Sequence, residues 1–218
     1  FIGREVVSYA AERDLVPDGG APLTMGIDVA RFGDDESVFR FRRGRDARSI
    51  KPMRFRGKDT MALASEAATA IERLKPEAVS VDGGGVGGGV VDRLKMLGYR
   101  VIEVQSGEKA RDEEKYLNRR AEMWAEMRDW LVYGAIDNDE ALIDDLTGPE
   151  YALHLKGQIK LESKDSMKKR GLSSPDDGDA LALTFAEPVS RMDAATARRM
   201  NRMRGQVADS EYDIFAST

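Results

Sequence analysis

The sequence predicts a mixed α/β fold, with an antiparallel three-strand meander followed by parallel strands and helices flanking the sheet. Three observations predict it. Three short apolar runs follow one another between residues 24 and 55, punctuated by Gly33 and Gly44. From Ala78 onward the pattern becomes strand, helix, strand, which calls for a right-handed parallel crossover. Two longer segments, 59–75 and 116–133, carry apolar residues at helical spacing.

Residues 1–22 read as a polar lead-in, with Pro17, Gly19, Gly20 and Pro22 as breakers. Thr24 to Val29 is a short buried strand, Ser37 to Phe41 alternates apolar and charged residues, and Ile50 to Phe55 is the third strand. A helix runs over 59–75, with Asp59 or Thr60 as cap and Pro76 as terminator. Ala78 to Asp82 is a strand, a glycine run spans Gly83 to Gly89, Val90 to Leu97 is a short helix and Arg100 to Val104 a strand. The stripe of Tyr116, Leu117, Met123, Trp124, Met127, Trp130 and Leu131 marks an amphipathic helix whose apolar face belongs to the core. Ala152 to Glu162 is a hairpin turning at Lys156-Gly157, a basic segment covers Lys164 to Arg170, and Pro175 opens a helix through Ala186. The domain thus covers 23–188, with a Met/Arg-rich tail over 189–218 as a docking surface or appendage.

The 218 residues suffice for one domain with a sizeable core. Cys is absent and His154 is the single histidine, so thiol catalysis, disulfides and Cys- or His-rich metal sites are excluded. Any metal must be held mainly by oxygen ligands, which favour Mg, Mn or Ca. Net charge is −5, which excludes a uniformly basic coat but not local patches. No apolar run is long enough to cross a membrane. A Walker loop is absent, since Gly57-Lys58 is followed by Asp59. The start, Phe1-Ile2-Gly3-Arg4, reads as that of a piece of a longer protein.

Acidic positions carry the chemistry. Asp28 lies in the apolar strand Met25-Gly26-Ile27-Asp28-Val29-Ala30, where a carboxylate is costly unless paired or bound to a cation. Asp82 ends the next buried strand. Asp176, Asp177 and Asp179 open an otherwise apolar helix. Singly, each has a structural explanation: an arginine partner for Asp28, a cap for Asp82, dipole compensation for Asp176 and Asp177. Together they place carboxylates along one sheet edge, a ligand set for hard divalent cations.

The order of these elements is similar to the ribonuclease H-like pattern. Within it, Gly26-Ile27-Asp28-Val29-Ala30 with Gly33-Asp34-Asp35, Val81-Asp82-Gly83-Gly84-Gly85 leading to Val91-Asp92-Arg93-Leu94, and Glu162-Ser163-Lys164 continuing to Ser174-Pro175-Asp176-Asp177-Gly178-Asp179-Ala180-Leu181 resemble the nuclease domain of the large terminase subunit of tailed bacteriophages. The resemblance spans about 24–187. It implies an endonuclease that cuts concatemeric viral DNA during packaging in the host cytoplasm, using two Mg or Mn ions. It puts the catalytic acids on Asp28, Asp82 (where many relatives carry Glu) and Asp179, with Asp176 as an additional metal ligand. Asp177 lies at the wrong helical spacing to replace Asp176, and Asp34 and Asp35 fall in the turn after the first strand. The family also implies an N-terminal ATPase before residues 1–22, and the small terminase subunit, the portal and the procapsid as partners.

Two other readings compete. One is another nuclease of the same fold, such as a Holliday-junction resolvase. The other is a dinucleotide module, because Gly83-x-Gly85-x-x-Gly88 follows a strand, opens a helix and precedes Glu103. Against the second, the Asp82 charge would face the pyrophosphate. Among the basic groups, Arg40, Arg42, Arg43, Arg45 and Arg48 read as a solvated face, as do Arg119 and Arg120. Lys164, Lys168, Lys169 and Arg170 directly precede the acidic helix and are placed to hold a DNA backbone.

Overall fold

The structure, a computed structural model, describes residues 1–15, 19–30 and 36–189. Asp34 and Asp35, and the tail from residue 190 onward, lie outside the described residues.

β1 (Leu23–Asp28) pairs antiparallel with β2 (Ser37–Arg43), which pairs with both β3 (Asp46–Ala47) and β4 (Met53–Phe55). α2 (Thr60–Leu74) then carries the chain to β5 (Ala78–Asp82), which lies parallel to β1. α3 (Gly87–Met96) leads to β6 (Ile102–Val104), parallel to β5. The sheet order is β6-β5-β1-β2-β3-β7, where β7 is Ala135–Ile136 and runs parallel to β3. The predicted mixed sheet is therefore present, with the meander refined: β2 sits between β1 and two short partners.

Period-two alternation divides the interior. From β1, Leu23, Met25 and Ile27 join Phe39, Phe41, Val79 and Val81 in a core under α2 and α3. On the other face, Thr24, Gly26 and Asp28 point toward α7 (Asp176–Leu183), which packs across β1 and β2. A second core there joins α7 to α4 (Arg119–Leu131), α5 (Glu140–Thr147) and α1 (Arg4–Glu12). Caps act as predicted at α2, where the Asp59 side chain accepts from Ala62 N–H, and Asn118 does the same for α4.

Three differences from expectation have clear causes. The segment read as a lead-in contributes α1, whose Val7, Ala10 and Ala11 are buried; three charged residues in a nine-residue helix hide a narrow apolar stripe. β7, of two residues, and α5, of eight, are too short to show a period. Arg40 and Arg42 are no solvated face: Arg40 is 1% exposed on β2 and turned toward α7, while the Arg42 guanidinium donates to Thr184 and lies 4.0 Å over the Phe185 ring. Arg43 and Arg45 stay nearer the surface, each bonded to backbone carbonyls.

The hairpin is as expected: β8 (Tyr151–Leu153) pairs with β9 (Ile159–Leu161), and Gly157 takes a positive φ of 79° in the turn. The basic segment that follows is a short helix, α6 (Lys164–Lys169), capped by Ser163.

Candidate active site

β1 and β5 are parallel neighbours, so their carboxyl ends place Asp28 and Asp82 side by side at one sheet edge. α7 points its first turn at that edge. Its approach depends on Gly26, where a Cβ would lie 2.1 Å from the Ala180 carbonyl oxygen.

Asp28, Asp176 and Asp179 are all buried and converge on one ammonium group. Lys164 Nζ, at the start of α6, lies 3.1 Å from Asp28 Oδ2, 3.3 Å from Asp176 Oδ1 and 3.1 Å from Asp179 Oδ2. Asp176 Oδ2 also accepts from Glu36 N–H at 3.1 Å. Asp82 is half-buried beside them; Ser106 Oγ donates to its Oδ2 at 3.2 Å and Gly84 N–H to its Oδ1 at 3.0 Å. The four acids singled out in the sequence thus meet at one edge, with Lys164, read there as a DNA-backbone contact, lying among them.

Each acid of α7 has different partners. Asp177 faces away, its carboxylate held by Arg40 at 2.7 Å and Arg54 at 2.7 Å. Arg40 also reaches Asp137 at 2.7 Å. Asp179 Oδ1 takes Trp124 Nε1 at 2.7 Å and Arg120 Nε at 2.9 Å. Asp145, on α5, accepts from the N–H groups of Asp177 and Gly178, satisfying two donors of the α7 amino end.

The electrostatics follow from burial against charge. Burial pushes the Asp28 carboxyl up to about 7; Lys164 opposes this, while Asp179, Asp176 and Asp82 add to it. Burial would raise Asp179 as well, but Arg120, then Lys164, and the bonds from Arg120 and Trp124 outweigh it and hold the carboxyl down at about 2. Lys164 is held firmly protonated: burial lowers its pKa, and Asp179, Asp28 and Asp176 more than reverse that.

Burial also lifts Asp145 to about 7. Between its ordinary value near 3.8 and 7, the folded protein holds a proton on Asp145 that the unfolded chain has released. Its stabilising share is therefore complete below about pH 4 and lost as pH rises through 7. Asp145→Asn keeps an oxygen for the two N–H groups and removes the charge. Its melting temperature should gain on that of wild type as pH rises from 4 to 8, reflecting a stability difference of up to a few kcal/mol, on the order of 1.4 kcal/mol per pKa unit. A gap that does not change with pH, measured by calorimetry, would contradict this.

Of the predicted DNA contacts, Lys168 and Lys169 are exposed on α6. Arg170 is bonded to Glu162 and to the Gly148 carbonyl, and Lys164 is turned into the acidic site. The glycine run closes on itself: Gly84 N–H serves Asp82, Gly83 N–H bonds Val104 O, and Gly87 N–H bonds Gly84 O. Those amides are engaged within the protein rather than presented to a phosphate.

Among the described residues no group of three acids stands arranged to hold a metal ion; the Lys164 ammonium lies among them. The donor chemistry nonetheless suits a hard divalent cation, because the site consists of carboxylate oxygens already gathered around one positive charge. Ser106 and Asp145 carry no signal in the sequence, Trp124 reads there as core alone, and Arg120, read with Arg119 as a solvated face, is instead largely buried and paired with Asp179. They bond to acids, or to the amides beside them, 24 to 59 residues away, which leaves no local pattern to read.

No family model and no curated protein matches the chain. Solved structures do. The nuclease domain of the large terminase subunit of bacterial virus Sf6 superposes with a TM-score of 0.75 at 19% identity, over 86% of this chain and 99% of that one. The large terminase nuclease of thermophilic phage G20c gives 0.60 at 15% identity, over 79% and 86%. The large terminase nuclease domain of Thermus phage P74-26 gives 0.56 at 14% identity, over 78% and 80%. Other structures of the Sf6 domain contain manganese or calcium, and of the G20c domain magnesium or cobalt. The chain shares the ribonuclease H-like fold of these nuclease domains.

Proposed function

We propose that this chain is a metal-dependent DNA endonuclease of the large-terminase type, cutting concatemeric viral DNA during genome packaging in the host cytoplasm. The observation that carries this reading is the convergence of buried Asp28, Asp176 and Asp179 on one cationic position, beside Asp82, at the carboxyl ends of two parallel strands. Buried acids gathered in this way repel one another and call for a counter-charge. Asp28, Asp82, Asp176 and Asp179 would hold two Mg or Mn ions. Such ions activate a water and stabilise the oxygen that leaves a phosphodiester.

The protein's own groups set the stage. Lys164 neutralises the acids in the ion-free chain and must yield part of that position to an incoming ion. Ser106 and the Gly84 amide hold the Asp82 carboxylate in one orientation. Small residues after Asp82 leave space for a backbone phosphate to approach. Lys168 and Lys169, exposed on α6 next to Lys164, would contact the DNA backbone, with Arg170 bracing that helix through Glu162. The small terminase subunit, the portal and the procapsid would be the partners of the longer protein.

Supercoiled plasmid incubated with the purified chain should become nicked and linear with Mg or Mn and stay intact in excess chelator. Cleavage that persists in chelator would sink the reading. Preferential cutting of four-way junctions over linear duplex would favour a resolvase instead.

A further inference from the structure

We infer that Trp124, with Arg120, is a positioning residue of the acidic site, fixing the Asp179 carboxylate so that its Oδ2 faces Asp28 and Asp176. The inference rests on the metal-dependent reading above.

Trp124 belongs to the apolar stripe of α4 and is fully buried, which by itself describes a core residue. Its indole is nevertheless turned so that Nε1 donates to Asp179 Oδ1 at 2.7 Å. Arg120, one turn earlier on the same helix, donates to that oxygen from Nε at 2.9 Å and reaches Oδ2 only at 3.4 Å. Arg120 is itself tethered by Nη1 to the Glu162 carbonyl at 2.7 Å. Oδ1 therefore carries two short donors, and Oδ2 is the oxygen facing the Lys164 ammonium shared with Asp28 and Asp176.

Space for the indole is made on the other side. A Cβ at Gly178 would lie 2.9 Å from the Trp124 ring, so this glycine inside the first turn of α7 admits the ring to the helix that bears the acids. Core filling alone would be served by Phe, with no donor. A donor to a charged acceptor in a dry site is strong and directional, so it sets which way the carboxylate faces.

The second tryptophan is a matched control. Trp130 lies on the same helix, is 4% exposed and donates its Nε1 to the Gly44 carbonyl at 2.9 Å, away from the acids. Trp124→Phe and Trp130→Phe each delete one indole-to-oxygen bond, and each leaves one tryptophan as a reporter.

Ca and Mg binding to wild type and both variants is measured by calorimetry and by tryptophan emission. Loss of an outer partner of a metal-holding side chain typically weakens metal binding 10–100-fold. Trp124→Phe should weaken binding by about tenfold or more, and Trp130→Phe should leave it unchanged. Emission of Trp124 in Trp130→Phe should shift with ion and share the calorimetric midpoint; Trp130 in Trp124→Phe should not respond. Equal or tighter binding in Trp124→Phe, or equal weakening in both variants, would overturn the inference. If Trp124→Phe does not fold, Arg120→Lys, which keeps the charge but loses the fork, must weaken binding with the melting temperature preserved, or the inference fails. Wild type that binds neither ion would overturn the metal-dependent reading itself, and is recognisable because no substitution is involved.

Discussion

Asp28→Asn should abolish metal-dependent cleavage, by more than about 100-fold, and at pH 8 raise the melting temperature of the ion-free protein. The activity loss should exceed the 10–100-fold typical of an outer partner, because Asp28 is proposed to touch the ions directly. The stability gain follows from its surroundings. Burial and three neighbouring acids push its pKa up to about 7, so at pH 8 the folded chain carries a charge that it holds at a cost. Asn fills the same space without that charge. With Mg added, the order should reverse, since only wild type gains ion-binding energy. Calorimetric scans at pH 8 with Mg and with chelator check both halves. A variant less stable than wild type in chelator would mean that the Lys164 pairing outweighs the crowding.

Gly26→Ala should be among the most damaging single-methyl additions in the molecule. The new Cβ would stand 2.1 Å from the Ala180 carbonyl oxygen, with Leu183 Cβ and the Thr184 amide at 3.0 and 3.1 Å. Backbone has to move, and overpacking of this kind costs about 1–3 kcal/mol or more. The displaced element is α7, so Asp176 and Asp179 move away from Asp28, and cleavage should fall further than the stability loss alone explains. Gly19→Ala, where a Cβ meets nothing within 4 Å, is the neutral comparison. Equal melting temperatures for the two variants would show that α7 rides less closely on β1 than described.

Much of this was legible because local rules sufficed. Asp28 and Asp82 stood out as charges closing buried strands, and α2, α4 and the hairpin had caps, periods or turn residues that name themselves. α5, with only Leu142 and Leu146 buried over eight residues, is too short for a period to emerge. Arg40 was misplaced for a different reason. Alternation tells which residues share a face, not whether that face meets water, and here both faces of β2 are covered. Lys164 was recognised as part of a basic run, but its turn inward depends on acids 12 to 136 residues away. The bonds of Trp124 and Ser106 likewise exist only once the chain has closed.

The arginines of β2 have a consequence for how the chain reaches this state. Arg40 is paired across from Gly26 and Arg42 across from Thr24, and both reach α7. A hairpin slipped by one residue would reverse the faces of β2, driving two guanidinium groups among Met25, Leu63 and Val79 and turning the phenylalanines toward Asp177. An unpaired buried charge costs several kcal/mol, so the slipped form has no stable basin. The residues that bolt α7 to the sheet thereby proofread strand alignment during folding, and a chain with both arginines replaced by leucine would be open to misaligned, aggregation-prone β1–β2 pairings.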